Sequence, residues 1–324
     1  MIVGQLTRDL VLVVDEMPEE SGSIPVRLRR ELLGGKAANQ AVALAQLGFS
    51  VGLVAVTGDD RIGDDLLAQA ARDGVDVSTV IRRPGARTAL IVEVLRSGGS
   101  WRYFEDISGP VLLTEEDVTA AATQLAHAPA VVIQLQQPTV AALRAAHLAT
   151  GLVVLDGAPD DERLRDALFA EADVIRADAR ETAHLFGSDV LADPERARSA
   201  ARTLLALGRP RLVALALDPL GNLFVWPDGD LLVPHPRAPV VDTTGAGDAF
   251  TAALVAGLLH GDEPRQVARF AVAAASATVC HPGGRADLSP ERLTRHLALV
   301  DEALGIPVDG ESQSARDVPS WLAG

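Results

Sequence analysis

The clearest chemical signal is a glycine-rich string, DTTGAGDAF, at residues 242–250. A helix is predicted directly after it, because alanine and leucine dominate the next ten positions. A glycine-rich turn at a helix N-terminus directs backbone N–H groups and the positive end of the helix dipole at one place, which favours a bound phosphate. Asp248 would lie beside that anion, where a carboxylate can take the proton of an attacking hydroxyl. An ordinary loop with an aspartate N-cap is the alternative, but it does not explain so long a string.

A second glycine-bearing string, LGGKAANQA at residues 33–41, leads into another predicted helix. The paired glycines Gly34 and Gly35 allow a ligand to approach the backbone closely. Asn39 offers both a donor and an acceptor to sugar hydroxyls. A tight turn with a capping asparagine explains the same residues, so this string taken alone does not establish a site.

These strings lie among alternating short β-branched runs and longer amphipathic stretches, a pattern typical of βαβ units. Strands are predicted at 51–56, 130–135, 152–156, 173–176 and 212–217. Helices are predicted at 37–47, 62–73, 115–126, 138–149, 161–170, 179–186, 195–207, 246–259, 263–279 and 290–303. We therefore predict an α/β fold with a doubly wound, mostly parallel sheet flanked by helices.

Two stretches, about 10–33 and 87–106, do not follow this rhythm. In the second, TALIVEVL and SWRYFED flank a glycine turn at 97–99, which predicts a hairpin. We interpret both stretches as a small β-sheet lid, with additional edge strands of the main sheet as the alternative. Within the hairpin, cross-strand packing is the favoured role for Arg102 and Tyr103.

Composition excludes several classes of function. The net charge of −15 over 324 residues opposes binding to nucleic acid or to an anionic membrane. A single cysteine rules out an internal disulfide, and no apolar run approaches the roughly 20 residues that cross a bilayer. The first residues carry no export signal, so we expect a cytoplasmic location.

Together the two glycine-bearing strings resemble the paired signatures of the ribokinase-like sugar kinases, the PfkB family, and are most similar to those of ribokinases. The resemblance runs from residue 1 to about 305 and includes GDDRIG at 58–63. It implies one ribokinase-like kinase domain over 1–305 and a C-terminal tail over 306–324.

The resemblance also implies a site. Asp248 matches the catalytic base, and the N–H groups of Gly245, Ala246 and Gly247 match an anion hole for the transferring γ-phosphoryl group. Substrate-binding positions match Thr7, Asp9, Gly34, Gly35, Lys36, Asn39 and Gln136. Ribokinases usually carry asparagine where Thr7 stands and glutamate where Gln136 stands, which leaves ribose specificity open.

On the nucleotide side, the family's Asn-x-x-Glu motif is replaced by DARE at 178–181. Glu181 is retained in the magnesium region, and Asp178 adds a carboxylate that can hold a magnesium-bound water. The Thr-x-Gly-x-x-Gly loop keeps only Gly221, and Asp218 is unfavourable beside phosphates unless it faces solvent or magnesium. A monovalent-cation site matches Asp242, Thr244, Val279 and Gly284.

We therefore predict an ATP-dependent kinase that phosphorylates the hydroxymethyl group of a small, ribose-like sugar with Mg²⁺ and activating K⁺. The resemblance further implies a homodimer formed through the lid. Two alternatives stay open: a kinase of the same family for a nucleoside, ketohexose or sugar acid, and a sugar-binding or regulatory protein with impaired catalysis.

Overall fold

The computed structural model describes residues 1–96, 101–280, 285–306 and 321. The glycine turn predicted at 97–99 and the cation ligand Gly284 lie outside the described residues. Of the predicted tail, only Ile306 and Trp321 are described. Trp321 stacks on His260 with ring centroids 4.2 Å apart and donates a hydrogen bond from Nε1 to Asp262. The division into a domain and a tail remains a prediction.

The described secondary structure consists of strands, α-helices and two short 3-10 helices, Gly109–Val111 and Ser188–Ala192. The strands are β1 (Ile2–Val3), β2 (Thr7–Val14), β3 (Leu28–Gly34), β4 (Val51–Val54), β5 (Val56–Gly58), β6 (Val75–Asp76), β7 (Ile81–Arg83), β8 (Leu90–Arg96), β9 (Trp101–Asp106), β10 (Ala130–Gln134), β11 (Leu152–Asp156), β12 (Val174–Ala177), β13 (Leu212–Leu217), β14 (Gly221–Trp226) and β15 (Gly229–Val233). The helices are α1 (Lys36–Gln46), α2 (Arg61–Arg72), α3 (Glu115–Ala120), α4 (Ala122–His127), α5 (Thr139–Leu148), α6 (Glu162–Ala170), α7 (Ala179–Phe186), α8 (Pro194–Leu205), α9 (Ala246–His260), α10 (Pro264–Thr278) and α11 (Pro290–Ala303).

The main sheet has nine strands in the order β15-β14-β13-β12-β11-β10-β1-β4-β6. It is parallel from β6 to β13, and only the pairs β13–β14 and β14–β15 are antiparallel, so β14 alone runs in the opposite direction. The chain starts in the middle at β1, proceeds to β4 and β6, and then returns to the other side at β10. Ligands of such sheets bind beyond the carboxyl ends of the strands where the order reverses, which is between β1 and β10. The predicted doubly wound α/β fold is confirmed.

Two apolar layers enclose the sheet, one formed with α1, α2, α9, α10 and α11 and the other with α3 to α8. Helix α9 lies deep in the first layer, with every residue from Asp248 to Gly257 buried. Its apolar sequence follows from this position, because a helix that contacts protein on most sides has no polar face. The first turn of α9 is therefore held rigidly at the carboxyl edge of the sheet.

The lid is a separate four-stranded sheet in the order β3-β2-β8-β9. Its strands fall in the two stretches predicted to form it, and the alternative of edge strands in the main sheet is wrong. Asp60 fixes the base of this sheet: its carboxylate caps α2 at the N–H of Gly63 and also accepts from the N–H and hydroxyl of Thr88. A hydrogen-bonded N-cap thus anchors the chain just before β8.

Two predicted elements differ from those observed. The strand predicted at 51–56 is divided, because β5 leaves the main sheet and pairs with β7. The helix predicted at 115–126 is divided at Ala121 into α3 and α4. Neither change moves a site residue. Among the described residues, no helix has the length and apolar character needed to span a bilayer.

Candidate functional site

Three polar side chains lie side by side at the carboxyl ends of β10, β11 and β12. The strand register aligns Gln134 with Asp156 and Asp156 with Arg176. Residues that are neighbours across a parallel sheet face the same side, so the three form one row. Asp156 and Gln134 are fully buried and Arg176 is 6% exposed. The sheet thus carries a buried polar row beneath α1 and α9.

Asp156 is the centre of this row. It accepts from Nη1 of Arg176 at 2.7 Å, from Nε2 of Gln40 at 2.5 Å and from the hydroxyl of Thr251 at 3.4 Å. These donors come from β12, α1 and α9, respectively. A buried charge is tolerated only when it is paired and hydrogen-bonded, and Asp156 meets both conditions.

The glycine-rich turn begins α9 directly above this row. Gly245 has φ 71°, in the left-handed region that glycine adopts without strain, and it serves as the N-cap. The N–H of Ala246 donates to the carbonyl of Thr243 at 3.3 Å. Within the described part of the chain, the N–H groups of Gly245 and Gly247 have no acceptor. Two of the three predicted anion-hole donors are therefore available.

Asp248 follows this turn and is 6% exposed. Its carboxylate accepts from Nδ2 of Asn39 at 3.0 Å and from Nε2 of Gln40 at 3.4 Å, so α1 orients it. Burial raises the pKa of Asp248 to about 7, and the charge of Asp156 adds to this effect while Lys36 opposes it. A carboxylate with such a pKa is suited to accept a proton near neutral pH.

Lys36 forms ion pairs with the motif at 178–181. Its Nζ is 2.7 Å from Glu181 Oε1 and 3.7 Å from Asp178 Oδ2. Burial lowers the pKa of Lys36, but Glu181 and Asp156 raise it above its ordinary value, so the amine stays charged. Asp178 and Glu181 form a capping box that begins α7. The structure thus places Lys36 with the predicted magnesium region.

The sugar-side residues Thr7, Asp9, Gly34 and Gly35 meet where β2 pairs with β3. The Thr7 hydroxyl donates to Asp9 at 2.7 Å, and burial raises the pKa of Asp9 to about 6. Gly34 lies against this carboxylate so closely that a Cβ there would be 2.0 Å from Asp9 Cγ. Position 34 therefore needs a residue without a side chain, because any Cβ would clash with the Asp9 carboxylate. This agrees with the close approach expected of a glycine in this motif.

The lid contacts the glycine-rich turn through residues that the motifs did not identify. The Thr244 hydroxyl contacts the hydroxyl of Tyr103 at 2.7 Å and donates to Glu93 at 3.0 Å. Burial raises the pKa of Glu93 to about 7, with Asp242 adding to the effect. Arg180 lies 5.2 Å from the Trp101 ring in a second contact between lid and body. Tyr103 therefore does more than pack across the hairpin.

Other predicted site residues lie apart from this centre or are already engaged. The side chain of Gln136 is exposed, and its carbonyl accepts from Gln5. The carbonyl of Val279 accepts from the N–H groups of Val241 and Asp242, which uses both of its lone pairs. Asp242 is buried and accepts from the N–H of Thr244. Of the predicted cation ligands that are described, Asp242 and Thr244 lie together and Val279 is engaged by the backbone.

On the nucleotide side, Asp218 contacts His235 at 2.8 Å. This hydrogen bond lowers the pKa of Asp218, which is more than half exposed. Gly221 begins β14, where a Cβ would be 2.2 Å from the carbonyl oxygen of Val233. The Asp218 carboxylate therefore faces solvent and His235. Gly221 is needed because a side chain there would clash with the backbone of Val233.

The donor chemistry decides which ions this site fits. Asp178 and Glu181 offer carboxylate oxygens, the ligands that Mg²⁺ prefers, beside Lys36. In the described part of the chain, no group of three or more His, Cys, Asp and Glu residues is arranged to hold a metal by itself. This fits an ion that retains water ligands and is held partly by substrate phosphates.

Sequence reasoning missed Gln40, Glu93, Asp156 and Arg176. A signal for two of them was present, because Asp156 is the last residue of the buried run LVVLD and Arg176 is the next to last residue of VIRA. A charged residue at the carboxyl end of a buried parallel strand indicates a site. Gln40 lies within the string at 33–41, although no role was predicted for it, and Glu93 had no signal.

A family model described as the pfkB family carbohydrate kinase matches residues 1–292. A fructokinase of Klebsiella pneumoniae is 31% identical over 283 residues, covering 83% of this chain and 89% of its own. A deoxyribokinase of Salmonella typhi is 26% identical, with 92% and 98% covered. A bifunctional ribokinase/ribose-5-phosphate isomerase A of Fructilactobacillus sanfranciscensis is 28% identical over 97% of this chain, which spans 59% of that protein's length.

Solved structures give the same fold. Ribokinase from Thermotoga maritima superposes with a TM-score of 0.78 at 25% identity, covering 92% of this chain and 98% of that one. Arabidopsis thaliana ribokinase complexed with ribose and ATP gives 0.75 at 25% identity, with 91% and 97% covered. Phosphofructokinase-2 from Escherichia coli in complex with potassium gives 0.75 at 21% identity, with 93% and 98% covered.

The close approach of Gly34 to Asp9 yields a stability prediction. Gly34→Ala should lower the free energy of unfolding by about 1–3 kcal/mol, because its methyl group must displace a buried carboxylate. Gly109→Ala is the control, since nothing lies within 4 Å of a Cβ built there. Urea denaturation of both variants measures the difference. Equal stabilities for the two variants would contradict the packing described here.

Proposed function

The chain belongs to the pfkB family of carbohydrate kinases, and we propose that it transfers the γ-phosphoryl group of ATP to the primary hydroxyl of a small neutral sugar. One observation carries this proposal. The buried carboxylate of Asp248 directly follows a turn whose Gly245 and Gly247 N–H groups are available to an anion. A base and an electrostatic stabiliser of negative charge therefore occupy one turn.

The proposed reaction is an in-line displacement at phosphorus. The sugar oxygen forms a bond to the γ-phosphorus, the bond between that phosphorus and the bridging oxygen of ADP breaks, and Asp248 takes the hydroxyl proton. The products are a sugar phosphate and ADP. Asn39 and Gln40 hold the carboxylate in place through their amide donors. The N–H groups of Gly245 and Gly247 hydrogen-bond the oxygens of the group in transfer.

The charges on the sugar side support a neutral substrate. Asp9 and Glu93 line this region with raised pKa values, and Asp242 lies beside them. A substrate carboxylate would bring a further negative charge to acidic groups that already repel one another. Carboxylates and amides suit the paired hydroxyls of a polyol instead. We therefore favour a pentose or ketohexose over a sugar acid.

A ribose-like sugar is our first candidate, because LGGKAANQA retains the residues that resemble a ribokinase sugar site. The relatives include enzymes named for fructose and deoxyribose as well as ribose, which keeps a ketohexose as the second candidate. The Thr7 hydroxyl is hydrogen-bonded to Asp9, and the Gln136 side chain is exposed. Neither residue therefore favours one of these sugars over the other. A nucleoside remains the third candidate.

Two ions complete the proposal. Asp178 and Glu181 would hold Mg²⁺ through water beside Lys36, and the ion would neutralise part of the phosphate charge. Asp242 and Thr244 are proposed to contribute to a K⁺ site. Such a kinase would work where ATP is supplied, so we propose a cytoplasmic location.

A non-catalytic role is the rival of another class. The observation that favours it is the acidic nucleotide loop, where Asp218 replaces a neutral residue of the family motif. Asp218 has His235 as a hydrogen-bond partner, so its charge is a weaker argument against nucleotide binding. The available anion-hole donors beside Asp248 favour catalysis.

ATP consumption across pentoses, ketohexoses, nucleosides and sugar acids, with Mg²⁺ and K⁺, tests the proposal. We expect a neutral sugar to stimulate turnover, and Asp248→Asn to lower kcat by about 10²–10⁴-fold, because an amide cannot accept the proton. Asp262→Asn, two residues beyond the C-terminal end of α9, is the control for the change of charge. Turnover that survives in Asp248→Asn would contradict the assignment of the base. A sugar that stabilises the protein without any ATP consumption would favour the non-catalytic rival.

The outer face of the lid supports a homodimer. Leu10, Leu12, Val92 and Val94 lie in register on this face, and Phe104 beside Val92 is 60% exposed. Asp9, Glu93 and Tyr103 occupy the alternate positions and face the site. An apolar face of this kind marks an interaction surface. We propose that a second copy of the chain covers it.

Sedimentation equilibrium tests the dimer. The wild-type protein should have twice the chain mass of 33.9 kDa, and Phe104→Asp should shift it to the monomer because a charge cannot be buried unpaired in an apolar interface. Leu207→Asp, a substitution of an exposed apolar residue outside the lid, should remain dimeric. A monomeric wild-type protein would refute the dimer.

A further inference from the structure

Arg176 is a buried cation of the site that the reaction above does not use. Its guanidinium is 6% exposed and permanently charged. Nη1 forms the ion pair with Asp156 at 2.7 Å. Among the described residues, no hydrogen-bond acceptor is found for Nη2 or Nε.

The unpaired part of this guanidinium lies against the glycine-rich turn. Nη2 is the nearest atom to a Cβ built on Gly247, at 2.7 Å. The guanidinium carbon lies 5.4 Å from the ring centroid of Phe250, two residues after Asp248. Packing on this ring and the ion pair to Asp156 together fix the orientation of the side chain. Nη2 is therefore held beside the turn that offers two N–H groups to an anion.

The surrounding charges place Arg176 between the base and the phosphate side. Asp156, Glu181 and Asp178 all act on it electrostatically, in that order of size. Asp156 belongs to the Asp248 side of the site, and the other two form the predicted magnesium region. Arg176 therefore interacts with carboxylates on both the side of the proposed base and the side of the predicted magnesium region.

Another buried arginine of this chain, Arg269, uses two nitrogens in its ion pair, whereas Arg176 uses one. Arg269 is equally buried, and its Nε and Nη2 both donate to Asp301 at 2.7 Å. Arg176 uses a single nitrogen towards Asp156, and its Nη2 and Nε are not among the fully buried polar atoms of the described residues that lack a partner, so they keep accessible surface. The next residue in its row across the sheet is Ala214, so an apolar side chain would pack at this position. The free donors of Arg176 are therefore available to a ligand.

We propose that Arg176 binds the transferring phosphoryl group through Nη2, and that Asp156 positions it for this contact. This inference rests on the proposed function, because it assigns an anion to the turn of α9. Arg176 keeps its protons throughout. It hydrogen-bonds the phosphoryl oxygens while the bond to ADP breaks and the bond to the sugar oxygen forms, in the manner of arginines that stabilise phosphoryl transfer.

Arg176→Gln should lower kcat by about 100-fold or more, with KM for the sugar close to the wild-type value, because the contact is strongest in the transition state. Arg176→Lys should recover only part of kcat, since an ammonium lacks the planar fork. Arg269→Gln is the matched control. It removes a buried, paired guanidinium far from the turn, so it should lower stability and leave kcat close to the wild-type value.

Loss of Arg176 alone leaves Asp156 buried and unpaired, which lowers stability for a reason unrelated to the phosphoryl group. The double variant Asp156→Asn, Arg176→Gln removes both charges with little change of shape. It should regain thermal stability and keep the low kcat of Arg176→Gln. Recovery of wild-type kcat in the double variant would overturn the proposal, and so would wild-type kcat in Arg176→Gln itself.

Inorganic phosphate provides a readout that does not depend on turnover. Thermal stabilisation by phosphate should be present in the wild type and in Arg269→Gln, and reduced in Arg176→Gln and in the double variant. Equal stabilisation of all four proteins would overturn the role of Arg176. A wild type that binds phosphate through Arg176 but phosphorylates no sugar would sink the kinase proposal while retaining this contact.

Discussion

The site depends on one constraint, the burial of the Asp156 carboxylate at the carboxyl end of β11. Taking this charge out of water is costly, and three donors from three different elements offset the cost. Those donors fix α1, β12 and α9 relative to one another. Gln40 contacts both Asp156 and Asp248, so the same amide that satisfies the buried charge also orients the proposed base. Removing the charge would therefore disturb more than one ion pair.

The lid extends this arrangement to the sugar side. Thr244 lies within the glycine-rich string and contacts both Glu93 and Tyr103 of the lid. Closing the lid therefore acts directly on the turn that presents the anion-hole N–H groups. The same contacts bury Glu93, whose pKa of about 7 reflects that burial. A lid that excludes water strengthens every charge interaction beneath it and suppresses transfer of the phosphoryl group to water.

Much of the fold followed from the sequence, because the elements differ in period and composition. The buried strands β10 to β13 are short, mostly apolar runs, and the position of the lid followed from the interruption of the βαβ rhythm. The motifs located Asp248, Gly34 and Asn39, since glycines and a base at fixed spacing carry a local signal. The polar row was not predicted, because it exists only through the register of β10, β11 and β12. Likewise, the pairing of Lys36 with Glu181 joins residues 145 positions apart.

The central claim is that Asp248 is a buried base whose environment keeps it partly protonated near neutral pH. The pH dependence of kcat/KM for the sugar substrate, measured with ATP far below its own KM, tests this most directly because it reports the pKa of the free enzyme's essential base. Only the ionised carboxylate accepts a proton. The account therefore predicts that kcat/KM falls as pH is lowered through about 7, the pKa of Asp248, and is constant above it. A profile that stays flat down to the ordinary aspartate range would contradict the claim.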